Sequence, residues 1–158
     1  TGDIIKQRCF EITDNDDYSS LLKVAYIECS NILYDSIKEI QTGVSKRVVQ
    51  SKIHEVGFYC GQRGVGDEII NWNQTSRELF DFIRAINKPG PMATSFKNGE
   101  ELKINKSRLV KDAPRYKGTV GQLISKTQEG FLVKTLDDFI EIFEIETDAK
   151  LRVGNKLK

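Results

Sequence analysis

The chain has 158 residues, of which 39% are hydrophobic and 30% are charged, and its formal net charge at pH 7 is +1. This composition supports a folded hydrophobic core and excludes an intrinsically disordered chain. The near balance of 24 basic and 23 acidic residues argues against a strongly basic nucleic-acid binder and against an acidic tail. The charge is nevertheless uneven, because residues 1–87 hold 10 basic and 13 acidic side chains whereas residues 88–158 hold 14 and 10.

Cysteine usage and hydropathy indicate the compartment. Cys9, Cys29 and Cys60 are an odd number at wide spacing, which predicts reduced thiols rather than a disulfide framework. The sequence shows no zinc-binding spacing, no apolar run long enough to span a bilayer and no signal-peptide pattern. We therefore expect a cytoplasmic protein with no metal site and no membrane partner.

The first 43 residues predict one extended segment and one long helix. Residues 4–12 contain four apolar side chains and precede the acidic, turn-forming residues 13–17. From Tyr18 to Gln41 apolar residues recur at intervals of three and four, and Gly43 supplies a C-terminal stop. A strand followed by an amphipathic helix is the repeating unit of α/β sheets, so residues 1–43 are predicted to end an α/β domain.

Residues 44–74 have no clear period and are predicted to form a linker and an interdomain loop. A helix follows, because Thr75-Ser76-Arg77-Glu78 is a capping box in which hydroxyl and carboxylate bind the first amide groups. Pro89 prevents its continuation. The apolar face of this helix is predicted to comprise Leu79, Phe82, Ile83 and Ile86.

Beyond Pro91 the pattern changes to period two with tight turns. About five short strands are predicted, and Asn98-Gly99 is a strong hairpin signal between the first two. Residues 151–157 can add one more edge strand. Five short strands indicate a small β-barrel or open sheet, so residues 75–158 are predicted to be a helix followed by an OB-like β domain.

Several segments together resemble the 10-formyltetrahydrofolate-dependent formyltransferases, which include methionyl-tRNA formyltransferase and the amino-sugar N-formyltransferases. They are the opening residues 1–5, the long helix after the acidic turn, the Arg63-to-Trp72 loop, the helix of residues 79–85 followed by Asn87 and Pro89, and the terminal β module. The resemblance covers the second half of such a protein. It implies that residues 1–43 are a remnant of a Rossmann-like catalytic domain.

The same resemblance implies the cosubstrate and the position of the catalytic groups. The cosubstrate would be 10-formyltetrahydrofolate. The catalytic aspartate of the family would lie just before Thr1, and the asparagine and histidine further upstream, so we expect this chain to be a fragment that is inactive alone. Thr1, Gly2 and Asp3 would lie near the folate or the substrate, although Asp3 can equally be a strand-end residue that holds a turn.

Three residues of the interdomain loop are further candidates for substrate contact. Arg63, Asp67 and Trp72 match the corresponding family segment in part, with Asn71 replacing a common aspartate. Trp72 is expected to pack domains together rather than to stack on a base. The glycines of the loop do not form a phosphate cradle, because the loop does not open onto a helix.

The remaining candidates are basic, apart from the only histidine. Arg84 can reach a phosphate of the acceptor or cap the carbonyls of its own helix. His54 is interpreted as an ordinary histidine. Residues 97–117 hold seven basic and three acidic side chains, which are interpreted either as a phosphate-binding patch or as a solvated strand face. The central members of this possible patch are Lys103, Lys106, Arg108 and Lys111.

The predicted function is transfer of a formyl group to an amine, with a nucleotide-linked amino sugar preferred as acceptor. The preference depends on the short, weakly basic β module. Methionyl-tRNA is the alternative acceptor, so the expected partners are folate and either a nucleotide-sugar or initiator tRNA. Readings of other classes are a non-catalytic OB-like nucleic-acid-binding module and an oligomerisation domain with an exposed strand edge.

Overall fold

The computed structural model describes residues 2–53, 56–57, 59–114 and 117–158. Thr1 and His54, singled out above, lie outside these residues. Contacts divide the chain into a first unit, Thr1–Asp16 with Ser20–Arg63, and a second unit, Asp17–Ser19 with Gly64–Lys158. The elements are helix α1 (Tyr18–Gln41), a 3-10 turn (Gln50–Lys52), helix α2 (Ser76–Ala85) and strands β1 (Ala93–Lys97), β2 (Glu100–Leu109), β3 (Leu123–Lys126), β4 (Gly130–Lys134) and β5 (Phe139–Glu146).

The first unit contains the predicted long helix from Ser20 onward but not the predicted strand. Within residues 2–17 the only pairing is an isolated antiparallel bridge, in which Ile4 and Val48 exchange two main-chain hydrogen bonds of 2.9 Å. A strand requires a hydrogen-bonded neighbour along its whole length, whereas Val48 pairs with only one residue of this segment. The described residues therefore do not show a Rossmann-like sheet.

Charged contacts hold the N-terminal segment against α1 instead. Lys6 pairs with Glu39 at 2.7 Å, and Arg8 pairs with Asp35 at 3.1 Å. The Glu39 hydrogen bond is the largest influence on Lys6 and raises the pKa of its amine. No side chain of α1 is buried. Several apolar residues of α1, among them Ile27, Leu33 and Ile40, are exposed, whereas Leu22 and Ile32 are half-buried.

Helix α2 begins and ends as predicted from the sequence. The Thr75 hydroxyl accepts from the Glu78 amide at 3.2 Å, and the Glu78 carboxylate accepts from the Thr75 amide at 2.8 Å, which completes the capping box. The helix ends at Ala85, four residues before Pro89. Its buried face differs at one position from the prediction, because Phe80 is buried and Phe82 only packs partly against the core.

The second unit contains the five predicted strands in one antiparallel sheet. The order is β1-β2-β5-β4-β3, so β5 lies between β2 and β4 although it is last in sequence. Helix α2 contacts β2 and β5, which are central in this order. The core between helix and sheet includes Leu79, Ile83, Leu102, Ile104, Leu123, Val133, Ile140, Ile142 and Leu157.

Residues 154–158, called here the C-terminal segment, bond to both edge strands of the sheet. Phe96 of β1 and Lys158 exchange main-chain hydrogen bonds of 2.8 and 2.9 Å. At the other edge, Leu123 of β3 donates to Asn155 and accepts from Gly154, each at 2.8 Å. The sheet edges at these positions are therefore occupied by the chain itself, which argues against an oligomerisation domain that pairs through them.

The described part of the chain has no helix with the length and apolar character that crossing a bilayer requires.

Candidate functional site

The predicted interdomain loop ends in the core of the second unit. Trp72 is 5% exposed, and its Nε1 donates to the Ser95 hydroxyl at 2.9 Å. Ser95 in turn donates to the main-chain carbonyl of Lys158 at 3.0 Å. The indole therefore has its polar group satisfied inside one unit, as expected for a buried tryptophan.

The two other candidates of this loop are exposed. Asp67 accepts a hydrogen bond from the Gly64 amide at 2.7 Å, which closes a local turn. Arg63 is the last residue of the first unit, so the candidates of the loop fall in different units. Contact of Arg63, Asp67 or Trp72 with a substrate stays a prediction.

Four residues on α2 form what we call the α2 arginine cluster: Arg77, Phe80, Asp81 and Arg84. Arg77 binds both oxygens of Asp81, with Nε to Oδ2 at 2.8 Å and Nη2 to Oδ1 at 3.1 Å. Arg84 donates from Nε to Asp81 Oδ1 at 2.8 Å. Their spacings of four and three residues place these side chains on one helix face, where charge-assisted hydrogen bonds can form.

The ring of Phe80 lies beneath both guanidinium groups. The guanidinium carbons of Arg77 and Arg84 lie 5.5 and 5.2 Å from the ring centroid, within the range of cation–π contacts. Phe80 is itself 8% exposed and belongs to the core. The cluster therefore places two cations and one anion on a buried aromatic base.

Asp81 is held in its charged form by its two partners. Partial burial raises the pKa of Asp81, but the hydrogen bonds from Arg77 and Arg84 lower it more, so the pKa lies below its usual value. At neutral pH the cluster consequently carries a net charge of +1. Arg84, whose side chain is 18% exposed, bonds to this carboxylate, and its predicted contact with an acceptor phosphate stays a prediction.

The basic side chains of β2 face carboxylates. Lys103 lies 3.7 Å from Glu101 and Lys106 lies 3.1 Å from Glu144. Arg108 pairs with two carboxylates, those of Glu129 at 2.8 Å and Glu141 at 3.0 Å. Such pairing reduces the positive potential of the predicted patch and favours a solvated strand face.

The other members of the predicted sites are exposed. Lys111 lies just beyond β2, and Gly2 and Asp3 lie at the start of the first unit. Phosphate binding by Lys111 and folate contact by Gly2 and Asp3 stay predictions. In the described ranges no group of three or more His, Cys, Asp or Glu side chains could hold a metal ion.

Three residues that matter for these contacts, Arg77, Asp81 and Asp137, were not predicted as site residues. The Arg77–Asp81–Arg84 spacing is visible in the sequence, since residues three and four apart on a helix are neighbours. Asp137 leaves no such signal. It lies in the β4–β5 turn and binds the Ser76 amide of α2 across 61 residues of sequence.

Asp137 is expected to stabilise the second unit in a pH-dependent manner. Its Oδ1 accepts from the Ser76 amide at 2.8 Å and from the Thr135 hydroxyl at 3.0 Å. Partial burial raises the pKa of Asp137, but these hydrogen bonds lower it more, so the pKa in the folded state lies below the unfolded value of about 4. The stabilisation is therefore complete above pH ~4 and is lost as the pH falls through the lower folded pKa.

The Asp137→Asn variant is expected to unfold with a free energy about 1 kcal/mol lower than the parent at pH 7. Urea titrations at pH 7 and pH 3 measure this, and the difference should shrink at the lower pH. Asp148→Asn, at an exposed aspartate of the same unit, is the control. A difference that is equal at both pH values would contradict the expected role of the ionised carboxylate.

Comparison with known proteins identifies the class to which this domain belongs. Residues 65–156, more than half of the chain, match the family described as the formyl transferase C-terminal domain. The chain therefore belongs to the formyl transferase family and contains its C-terminal domain, which confirms the resemblance found in the sequence.

Similar full-length proteins are named methionyl-tRNA formyltransferase. The one from Mycoplasma mycoides subsp. mycoides is 30% identical over 154 residues, covering 94% of this chain and 46% of that protein. The one from Syntrophomonas wolfei is 30% identical over 154 residues, covering 97% of this chain and 48% of that protein. The one from Streptococcus agalactiae serotype III is 28% identical over 155 residues, covering 98% of this chain and 48% of that protein. The chain thus spans about half the length of these relatives.

Proposed function

We propose that this chain is part of an enzyme that moves a formyl group from 10-formyltetrahydrofolate to the amino group of methionyl-tRNA. The observation that carries the proposal is the similarity over 94% or more of the chain to proteins named for that activity. These relatives give no support to the amino-sugar acceptor preferred on sequence grounds. The short, weakly basic β module therefore does not exclude a tRNA substrate.

The chemistry of formyl transfer separates the groups that would perform the reaction from those that would bind the acceptor. An amine that attacks a formyl carbon forms a tetrahedral oxyanion, which needs positioned donors, and a base must accept the amine proton. The family resemblance assigns these roles to an aspartate, an asparagine and a histidine. The proposed contribution of the described residues is binding of the acceptor, with Gly2 and Asp3 near the folate.

Acceptor binding is proposed for the α2 arginine cluster rather than for β2. Two guanidinium groups lie side by side on α2 above the Phe80 ring, whereas on β2 the cations of Lys103, Lys106 and Arg108 are spread along the strand and face carboxylates. Phosphates of RNA attract positive charge, and arginine binds them with fixed geometry. Arg84 is therefore the proposed phosphate contact, and Lys111 is a secondary candidate.

The proposal also includes the architecture of the chain and its cellular compartment. The bridging of β1 and β3 by the C-terminal segment supports an OB-like closure of the sheet. Domain limits at residues 43/44 and 74/75 and a cytoplasmic location are retained as proposals. The cytoplasm is where a tRNA substrate would be met.

The test is formyl transfer by the complete gene product. We expect transfer from 10-formyltetrahydrofolate to charged initiator tRNA and none to a panel of nucleotide-linked amino sugars. Transfer to a nucleotide-linked amino sugar but not to tRNA would show that the proposed acceptor is wrong. Salt-sensitive tRNA binding without any transfer would overturn the proposal in favour of a non-catalytic nucleic-acid-binding module.

A further inference from the structure

We infer that a cavity beside the β3–β4 hairpin binds an unstacked nucleotide of RNA, with the base among apolar side chains and the phosphate on Lys126. This cavity, called here the hairpin cavity, is open and lies between the hairpin and residues 145–151. Its volume of about 330 Å³ is within the usual range of ligand sites. The inference rests on the proposed function, because a tRNA acceptor makes RNA the source of the nucleotide.

The floor of the hairpin cavity is apolar. Phe131 of β4, Ile145 of β5 and Leu151 line it, and all three are half-buried. They pack against the core of the second unit, so the floor is held in place. A base that enters the cavity would remove apolar surface from water, and contact with an aromatic ring suits every base because each has a π face.

Lys126 places an available cation beside this floor. In the β3–β4 ladder Lys126 lies directly opposite Phe131, so the two side chains lie on the same face of the sheet. Lys126 is exposed and forms no ion pair with another described residue. Glu129, the acidic residue of the lining, accepts a hydrogen bond from Arg108 at 2.8 Å. An ammonium group next to an apolar cavity suits a ligand that joins a ring to a phosphate.

The segment that borders the cavity adds further positive charge. Lys150 and Arg152 are exposed and adjoin Leu151, and within the described ranges neither side chain pairs with a carboxylate. Residues 150–158 hold four basic and no acidic side chains. Several cations along one segment favour a polyanion, because each neutralised phosphate releases counterions. The surface therefore fits an RNA strand better than a free nucleotide.

A neighbouring cavity shows that size alone does not select the site. It is larger, at about 590 Å³, and shares two lining residues with the hairpin cavity. Its charged lining residues are four acids and one lysine: Glu100, Glu101, Lys103, Glu146 and Asp148. Phosphates would be repelled by this excess of carboxylates. Of the two cavities, only the hairpin cavity combines an apolar floor with an available cation.

The deciding experiment measures binding of a short fluorescent oligouridine to the complete gene product by anisotropy, over a series of salt concentrations. An RNA duplex of equal length is the comparison, because its bases are stacked and paired. We expect the parent to bind the single strand at least about fivefold more tightly than the duplex. Lys126→Gln is expected to weaken binding about fivefold and to reduce the slope of log K against log salt by about 0.7, the contribution of one phosphate contact.

Phe131→Leu tests the floor of the cavity separately from its charge. It keeps an apolar side chain against the core but removes the ring, so we expect binding to weaken about fivefold with an unchanged salt slope. Lys88→Gln is the matched control, because it removes an exposed cation of the same unit that already pairs with Glu146. Its affinity should stay within about twofold of the parent. Thermal unfolding verifies that each variant is folded.

Equal or tighter binding of the duplex, or an unchanged salt slope for Lys126→Gln, would overturn the inference. Displacement of the oligouridine by an equal concentration of free uridine monophosphate would overturn it too, since the site would then be one for a free nucleotide. The binding measurement requires no formyl transfer. Absence of transfer by the parent would therefore overturn the proposed function separately.

Discussion

Replacement of Gly130 by alanine is expected to prevent the sheet of the second unit from forming as described. A Cβ at this position would lie 1.9 Å from the main-chain oxygen of Ile142 and 3.0 Å from the Cα of Phe143. Gly130 begins β4 and pairs with Phe143 of β5. The close approach of these two strands therefore requires the absence of a side chain at residue 130.

The clash would be costly to relieve, because the atoms that obstruct the added Cβ belong to the backbone of β5. Strand β5 pairs with β2 on its other side, so a shift away from Gly130 would disturb two ladders. We expect the Gly130→Ala variant to lose at least about 3 kcal/mol of unfolding free energy in urea titrations. Gly61→Ala is the control, since nothing lies within 4 Å of a Cβ there. A loss below about 1 kcal/mol at residue 130 would refute the expected clash.

Local signals predicted the elements whose structure depends on neighbouring residues. The capping box fixed the start of α2, and the Asn98-Gly99 pair adopts the positive φ angles of 52° and 90° that a tight hairpin turn requires. Alternating hydrophobicity located all five strands. In each case the physical cause lies within a few residues of the element.

Features that depend on distant partners could not be predicted in the same way. The apolar pattern of residues 4–12 resembles that of a strand, but a strand forms only where a neighbour supplies hydrogen bonds. The insertion of β5 between β2 and β4 likewise depends on non-local pairing. Burial of Trp72 depends on Ser95 and the C-terminal segment, which are far from it in sequence.

The two basic candidates, the β2 patch and Arg84, differ for the same physical reason. Counting charges along residues 97–117 indicated a surplus, but the register places Arg108 opposite Glu141 of β5, where the two side chains pair. Cations on a strand thus meet carboxylates that the local sequence does not reveal. Arg84, in contrast, pairs with Asp81 three residues away on the same helix, so this one contact was accessible from the sequence.

The second large effect is expected at Leu157 of the C-terminal segment. Leu157 is 1% exposed and belongs to the core, and its amide donates to the Gly121 carbonyl at 2.9 Å. Truncation of a buried leucine removes its transfer free energy and leaves a cavity, so Leu157→Ala is expected to cost about 2–5 kcal/mol. Val153→Ala, at a side chain that is 56% exposed, is the control and should stay within about 0.5 kcal/mol of the parent.

The only tryptophan provides the readout for this variant. Trp72 donates to Ser95, and Ser95 donates to the carbonyl of Lys158, the residue after Leu157. Urea unfolding of Leu157→Ala followed by tryptophan emission should therefore show a transition at a lower midpoint than that of the parent. A midpoint equal to that of the parent would contradict the expected loss. The effect is expected to spread through the unit because the C-terminal segment bonds to both edge strands, so its disturbance weakens main-chain contacts of β1 and β3 together.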